Sequence, residues 1–176
     1  WAEGYASGAK SAGHEIRMTK LGNLQFDPIL HKGYKVIQEL EPDLKKAQED
    51  IAWCDHFVLI YPVWWAGVPA LLKGFFDRIW LPGFAYHFKK EGFLKGVIWH
   101  GSLKGRSARV IVAMDNIPFV ARLLFGDITN EIHYGILQFA GFSPVKVTKI
   151  GLMKFMSPEK KAVWRKRIER WGRKEK

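Results

Sequence analysis

HFVLIYPVWWAGVPALLKGFFDRIW, residues 56–80, passes from a strand pattern to a helix pattern through an aromatic loop. His56 to Val63 is a near-continuous apolar run, the signature of a strand covered on both faces as in a parallel sheet. Pro69 opens a helix, and Leu71, Leu72, Phe75, Phe76, Ile79 and Trp80 make its broad buried stripe. Between them, Trp64 and Trp65 sit beside Pro62, Gly67 and Pro69. Bulky aromatics are costly to leave on a loop unless something flat lies against them. Ligands of open α/β sheets bind at the carboxyl ends of the strands, which is where this loop falls if its strand is central.

The same alternation extends in both directions. Residues 1–12 are Ala-rich and helical, with Gly13 as the stop. His14 to Leu21 alternates apolar and polar residues and reads as a strand. Phe26-Asp27-Pro28 is a turn. Glu41 to Trp53 is a helix with Pro42 in its first turn. Ala108 to Met114 (ARVIVAM) is a second fully buried strand. Thr129 to Ala140 is helical and closed by Gly141, and Val145 to Leu152 reads as a strand nearer an edge. Ser157-Pro158 caps a last helix, whose Trp164, Ile168 and Trp171 share one face. The order α-β-α-β-α-β-α-β-α predicts a single α/β domain over residues 1–176, a doubly wound parallel sheet with helices on both faces.

Whole-chain numbers agree with one globular domain of 176 residues, 48% of them hydrophobic. No apolar stretch approaches the ~18 residues of a membrane-spanning helix, so membrane insertion is not expected. A single cysteine, Cys54, favours a reducing, cytoplasmic setting and reads as a small core residue. The six histidines make no metal-ligand spacing. A net charge of +11 raises the question of nucleic acid. Residues 160–176 alone hold nine Lys/Arg and two Glu, a net of +7, so the imbalance is mostly one terminal helix face. No nucleic-acid partner is expected.

PVWWAGVPALLKGFFDRIWLPGFAY (62–86) resembles the flavodoxin-like NAD(P)H:quinone oxidoreductases, which include the mammalian-type quinone reductase and the bacterial modulator-of-drug-activity-B proteins. Phe26-Asp27-Pro28 and GILQFAG (135–141) add to the resemblance, which covers nearly the whole chain. It implies a flavodoxin-like sheet of strand order 2-1-3-4-5. In that order the strands at 14–21 and 56–63 are the second and third. The first strand, with a phosphate-binding loop, is then expected before Trp1, about 20 residues on ordinary element lengths.

The resemblance also implies chemistry. Pro62, Val63, Trp64 and Trp65 would lie along a flavin, with loop N–H groups donating to the ring. Met114, Asp115 and Asn116 would flank its pyrimidine edge and ribityl chain. Ala66, Tyr86 and Phe88 would line the substrate pocket, the last two reaching the partner subunit of a homodimer. FAD is expected before FMN, NAD(P)H as the hydride donor, and a quinone or similar small molecule as the acceptor. The Tyr and His that the mammalian-type enzyme carries beyond the second loop are missing from Phe119 to Gly126, which leaves no side-chain acid assigned. Asp77 and Arg78 are expected to form an ion pair toward the partner subunit. An alternative from another class is a regulatory or ancillary subunit that binds a partner protein through its basic last helix.

Overall fold

The computed structural model describes residues 1–33, 36, 38–89, 91 and 95–174. Its centre is a parallel sheet of three strands, β1 (His56–Pro62), β4 (Ser107–Ala113) and β5 (Val145–Ile150), in the order β1-β4-β5. Register runs from His56 opposite Ser107 to Pro62 opposite Ala113, and from Ala108 opposite Val145 to Ala113 opposite Ile150. A short antiparallel ribbon, β2 (Tyr86–Phe88) with β3 (Trp99–Gly101), stands apart from the sheet.

Side chains alternate across a strand, so each apolar run feeds two cores. On one face Phe57, Leu59, Tyr61, Val110 and Val112 meet α2 (Pro42–Trp53), α3 (Ala70–Ile79) and a π-helix, Glu131–Gln138. On the other, Val58, Ile60 and Ile111 meet α1 (Ala2–Ser11) and α5 (Pro158–Lys174) through Tyr5 and Ile168. Helices therefore cover both faces, as an α/β parallel sheet requires. Trp80 anchors the first core: its ring meets Phe76 edge-on at 5.1 Å and Phe84 at 6.0 Å, and its Nε1–H donates to the Ile136 carbonyl at 3.0 Å.

Two expectations need correction. His14 to Leu21 is not a strand. Residues 14–20 form no regular element and join no ladder among the described residues, and Leu21–Asn23 is a 3-10 turn. Alternation prepares a segment for pairing, yet without an adjacent strand no ladder hydrogen bonds form. Side chains hold it instead: Arg17 bonds Asp50 at 3.1 Å and lies 4.0 Å above the Trp53 ring. The second correction follows. β1, read as central, pairs only with β4 among the described residues and is half-buried along most of its length, whereas β4 is the buried middle strand.

Arg78 also departs from expectation. It turns inward at 1% exposure and grips the Glu41 carboxylate with two bonds, 3.1 Å and 2.8 Å, while Asp77 pairs with Lys73 one turn back. Cys54 stays a core-type thiol: burial pushes it up to about 11.

Candidate functional site

β1 ends at Pro62, and Val63 N–H donates to the Ala113 carbonyl at 2.7 Å. This bond sets the 62–69 loop beside the loop that leaves β4, so both expected cofactor segments occupy the carboxyl edge of the sheet. The first loop then doubles back tightly. Trp64 N–H donates to the Gly67 carbonyl at 3.0 Å, and Gly67 N–H returns to the Trp64 carbonyl at 2.9 Å. Between them Trp65 and Ala66 have φ of 49° and 60°. Two-residue hairpins of this kind usually place Asn-Gly there, because an L side chain at positive φ costs about 1–2 kcal/mol. A Trp and an Ala held in that conformation are strain retained at one point, and such strain clusters at binding sites.

The strain presents indole faces to solvent. Trp65 is 99% exposed and Trp64 61%. The N–H groups of Trp65 and Ala66 make no hydrogen bond among the described residues, whereas those of Val63 and Trp64 are spent within the chain. The Gly67 N–H is spent as well and the Val68 N–H is not, so Trp65, Ala66 and Val68 keep free donors among the described residues. Trp64, Trp65, Gly67, Val68, Pro69, Ala70, Lys73 and Glu131 line a cavity of about 710 Å³. Lys73 and Glu131 also border a second cavity of about 320 Å³, with Trp80, Tyr86, Gly135 and Phe139. One groove thus runs from the tryptophan loop along α3 to Tyr86.

The structure brings together some predicted residues and not others. Trp64, Trp65 and Tyr86 border the groove. Phe88 is behind Tyr86, edge-on at 5.4 Å, and Tyr86 packs on Phe139 at 4.9 Å. Pro62, Val63, Ala66, Met114, Asp115 and Asn116 lie at the same sheet edge but outside both cavities. Met114 is buried, and its carbonyl accepts from Met153 N–H at 3.2 Å. Asp115 Oδ1 accepts the Lys154 N–H at 2.9 Å. The second loop is therefore already tied to the segment leaving β5. Sequence reading missed Lys73 and Glu131 as groove residues; their only signal was a place on two helices that both pack on the β1 side of the sheet.

Two polar groups near the groove yield predictions. The Tyr61 hydroxyl is buried with no partner among the described residues, and burial, reinforced by Glu131 and Asp127, pushes it well above its usual range. Tyr61→Phe removes an unsatisfied group at constant shape and is expected to raise stability by about 1 kcal/mol; a drop in thermal midpoint would reveal an unseen partner. Asp127 joins the turn before the π-helix to β5. Burial opposes its charge, but hydrogen bonds from Lys149 and from Thr129 Oγ, the latter at 2.6 Å, outweigh this and hold it at about 2. Because the folded value lies below the unfolded one of about 4, its contribution is present above pH ~4 and fades as pH falls toward 2. Urea titrations across that window are expected to show a slope that Asp127→Asn flattens.

Comparison with known proteins agrees with this geometry. The family model described as "Flavodoxin-like fold" matches residues 1–174. The chain belongs to this flavodoxin-like family. It is 32% identical over 113 residues to a ribosyldihydronicotinamide dehydrogenase-like protein of Penicillium crustosum, covering 58% of this chain and 41% of that one. With NAD(P)H dehydrogenase [quinone] 1 of Rattus norvegicus it shares 28% over 137 residues, 74% of this chain and 48% of the relative. This chain spans less than half the length of either relative. The crystal structure of Smu.1420 from Streptococcus mutans superposes with a TM-score of 0.74 at 28% identity, covering 97% of this chain and 92% of that one.

Proposed function

We propose that the chain carries the flavin-binding and substrate-binding edge of an NAD(P)H:quinone oxidoreductase. The observation that carries this reading is Trp65, almost wholly exposed in a strained turn at the carboxyl end of β1. The names of the Penicillium and rat relatives support the same class.

The residues present fit a flat conjugated ring. Two exposed indoles, three unspent N–H donors and a groove in the usual ligand size range meet at one loop. When bound, a flavin supplies a two-electron carrier between NAD(P)H and a quinone or similar acceptor. Pro62, Val63, Trp64 and Trp65 would hold its ring by apolar and stacking contact, and the free N–H groups of the loop would orient it. Asp115 and Asn116, beside Met114, would flank its pyrimidine edge and ribityl chain. Tyr86 and Phe88 project from β2 to wall the substrate slot of a second copy in a homodimer. Trp64, Trp65, Tyr86 and Phe88 would wall the shared slot against water and hold the reacting rings in stacked proximity, with no side-chain acid assigned. FAD is the proposed cofactor before FMN, and the proposed setting is cytoplasmic.

Flavin titration followed by fluorescence quenching, with bleaching on addition of NADPH, tests this reading. Trp65→Ala is expected to weaken flavin binding roughly tenfold, the scale of one lost stacking contact, while Trp65→Phe keeps most of it. A protein that binds neither FAD nor FMN would sink the proposal and favour the ancillary-subunit alternative.

A further inference from the structure

The antiparallel ribbon carries a feature that a flavin does not explain. β2 and β3 pair Tyr86 with Gly101, His87 with His100 and Phe88 with Trp99. The bond from Ser102 N–H to the Ala85 carbonyl, 2.9 Å, and that from Lys89 N–H to the Ile98 carbonyl, 2.7 Å, bracket the middle pair and hold it in register. Side chains alternate across a strand, so the ribbon has two faces. The inner face is packed. Tyr86 and Trp99 lie on the Phe139 ring at 4.9 Å and 4.8 Å, and a Cβ on Gly101 would stand 2.4 Å from the Ala140 carbonyl carbon. The outer face carries His87 and His100, both exposed, their ring centroids 5.5 Å apart and their planes inclined by 33°.

That spacing suits a shared ion. An imidazole nitrogen binds Zn2+ at about 2.0–2.1 Å, which puts each ring centroid about 3.2 Å from the metal, and a tetrahedral to trigonal angle between the two bonds then separates the centroids by about 5.2–5.5 Å. Neither ring is committed elsewhere. Among the described residues neither forms an ion pair, and the pair's one hydrogen bond joins His87 Nδ1 to Ser102 Oγ at 3.3 Å. With Nδ1 donating to Ser102, Nε2 keeps its lone pair, and a polar partner on the far nitrogen is what metal-binding histidines use to fix the ring. No carboxylate, thiol or further imidazole completes a three-ligand cluster among the described residues, so water fills the remaining positions. Two neutral nitrogen donors favour late first-row dications over Mg2+ or Ca2+, which take oxygen ligands. Sequence spacing concealed the pair, because only the ladder brings the two histidines together.

We infer that His87 and His100 form a two-imidazole site for a late first-row dication such as Zn2+ or Cu2+. The ion bridges β2 to β3 across the outer face. Its two bonds clamp a short ribbon that, as an isolated two-stranded unit, has little stability of its own. The consequence for the substrate slot rests on the quinone-reductase reading. Tyr86 and Phe88 leave the opposite face of the same strand, so an occupied site stiffens the wall they form.

The test is titration of the untagged full chain with Zn2+ alone, and separately with Cu2+ alone, in the absence of flavin and nucleotide. Calorimetry is expected to show Zn2+ binding that His87→Asn and His100→Asn each weaken at least roughly tenfold, because the ladder holds the second imidazole at a high effective concentration. His133→Asn, which removes a histidine stacked on Tyr134 instead of on the pair, is expected to leave it unchanged. Electron paramagnetic resonance of the Cu2+ form is expected to show two nitrogen donors in the native chain and one in either ribbon variant. Hydrogen exchange at the Lys89 and Ser102 amides is expected to slow when Zn2+ is added to the native chain, and not in either ribbon variant. Circular dichroism confirms that each variant is folded, as expected for exposed positions. A Zn2+ affinity that neither ribbon variant lowers, a native Cu2+ spectrum with a single nitrogen, or Zn2+ binding that leaves the ribbon amides unprotected overturns the inference. Because these readouts use neither flavin nor NAD(P)H, a failed flavin titration leaves them standing and removes only the consequence for the slot.

Discussion

Arg78→Met is expected to lower the unfolding free energy by about 3–5 kcal/mol, the cost of removing one partner from a buried ion pair. The guanidinium holds more than Glu41. Its Nη1 donates to the Asp27 carbonyl, and its Nη2 donates to the Glu39 carbonyl at 2.8 Å. Glu41 in turn accepts the Asp27 N–H at 3.1 Å. Burial disfavours the Glu41 carboxylate, and the Arg78 hydrogen bonds with this N–H overcome it and hold the group below its usual range. One side chain on α3 thus fastens two separate strips of chain. The first strip is pressed close, since a Cβ on Gly74 would come within 2.5 Å of Pro28 Cβ. Arg78→Lys is expected to recover little, because an ammonium cannot serve two carbonyls and a carboxylate from one planar fork. Glu41→Gln, which keeps an acceptor for the guanidinium, is expected to cost less than Arg78→Met. Urea unfolding of the three variants checks the order. An Arg78→Met protein within 1 kcal/mol of the native chain would mean the pair is replaceable packing.

This staple shows how legible the chain was and where legibility stopped. Phe26-Asp27-Pro28 was visible as a turn and Arg78 as a helix charge, but nothing local says that the two meet across 51 residues. Helices ending at Gly or opening at Pro were readable because capping is local chemistry. β4 was readable because a run such as ARVIVA has few alternatives to a buried strand. β1 has an equally apolar sequence, yet it lies at the edge of the described sheet. Apolar content reports what a strand's faces meet and says nothing of who pairs with its backbone. The alternation of 14–21 misled for the same reason.

α4 (Pro118–Phe125) was passed over although Pro118 gives the same start signal that located α2 and α5. Only Ala121 of Pro118–Phe125 is buried, so no buried stripe marked this helix in the sequence. The π-helix is hidden further still, because its wider turn depends on packing, with Trp80 bonding the Ile136 carbonyl. At the site, the tryptophan pair was legible as an aromatic oddity after a strand. The tight turn was not, since Trp-Ala carries none of the Gly or Asn chemistry that normally announces positive φ.

Gly8→Ala is expected to cost about 3 kcal/mol or more, although alanine is the better helix former by about 1 kcal/mol. α1 and α5 cross with backbone against backbone. A Cβ on Gly8 would stand 2.0 Å from the Glu169 carbonyl oxygen and 2.8 Å from its carbon. Reciprocally, a Cβ on Gly172 would stand 2.2 Å from the Tyr5 carbonyl oxygen. Neither obstacle is a flexible side chain, so the helices must separate. Separation would loosen Tyr5 and Ile168 from Ile111 and Ile150, which form the second core. It would also disturb the stack in which Arg109 lies 4.5 Å above the Trp171 ring. Gly135→Ala is the matched control: that glycine is helical with nothing within 4 Å of a built Cβ. There the propensity gain is unopposed, and a rise of about 0.5–1 kcal/mol is expected. Opposite signs at Gly8 and Gly135 in urea unfolding would place the cost in the crossing itself, because helix propensity alone predicts the same sign at both. A stabilising Gly8→Ala would show that α5 sits farther from α1. The sheet face opposite the tryptophan groove would then be covered less tightly than described.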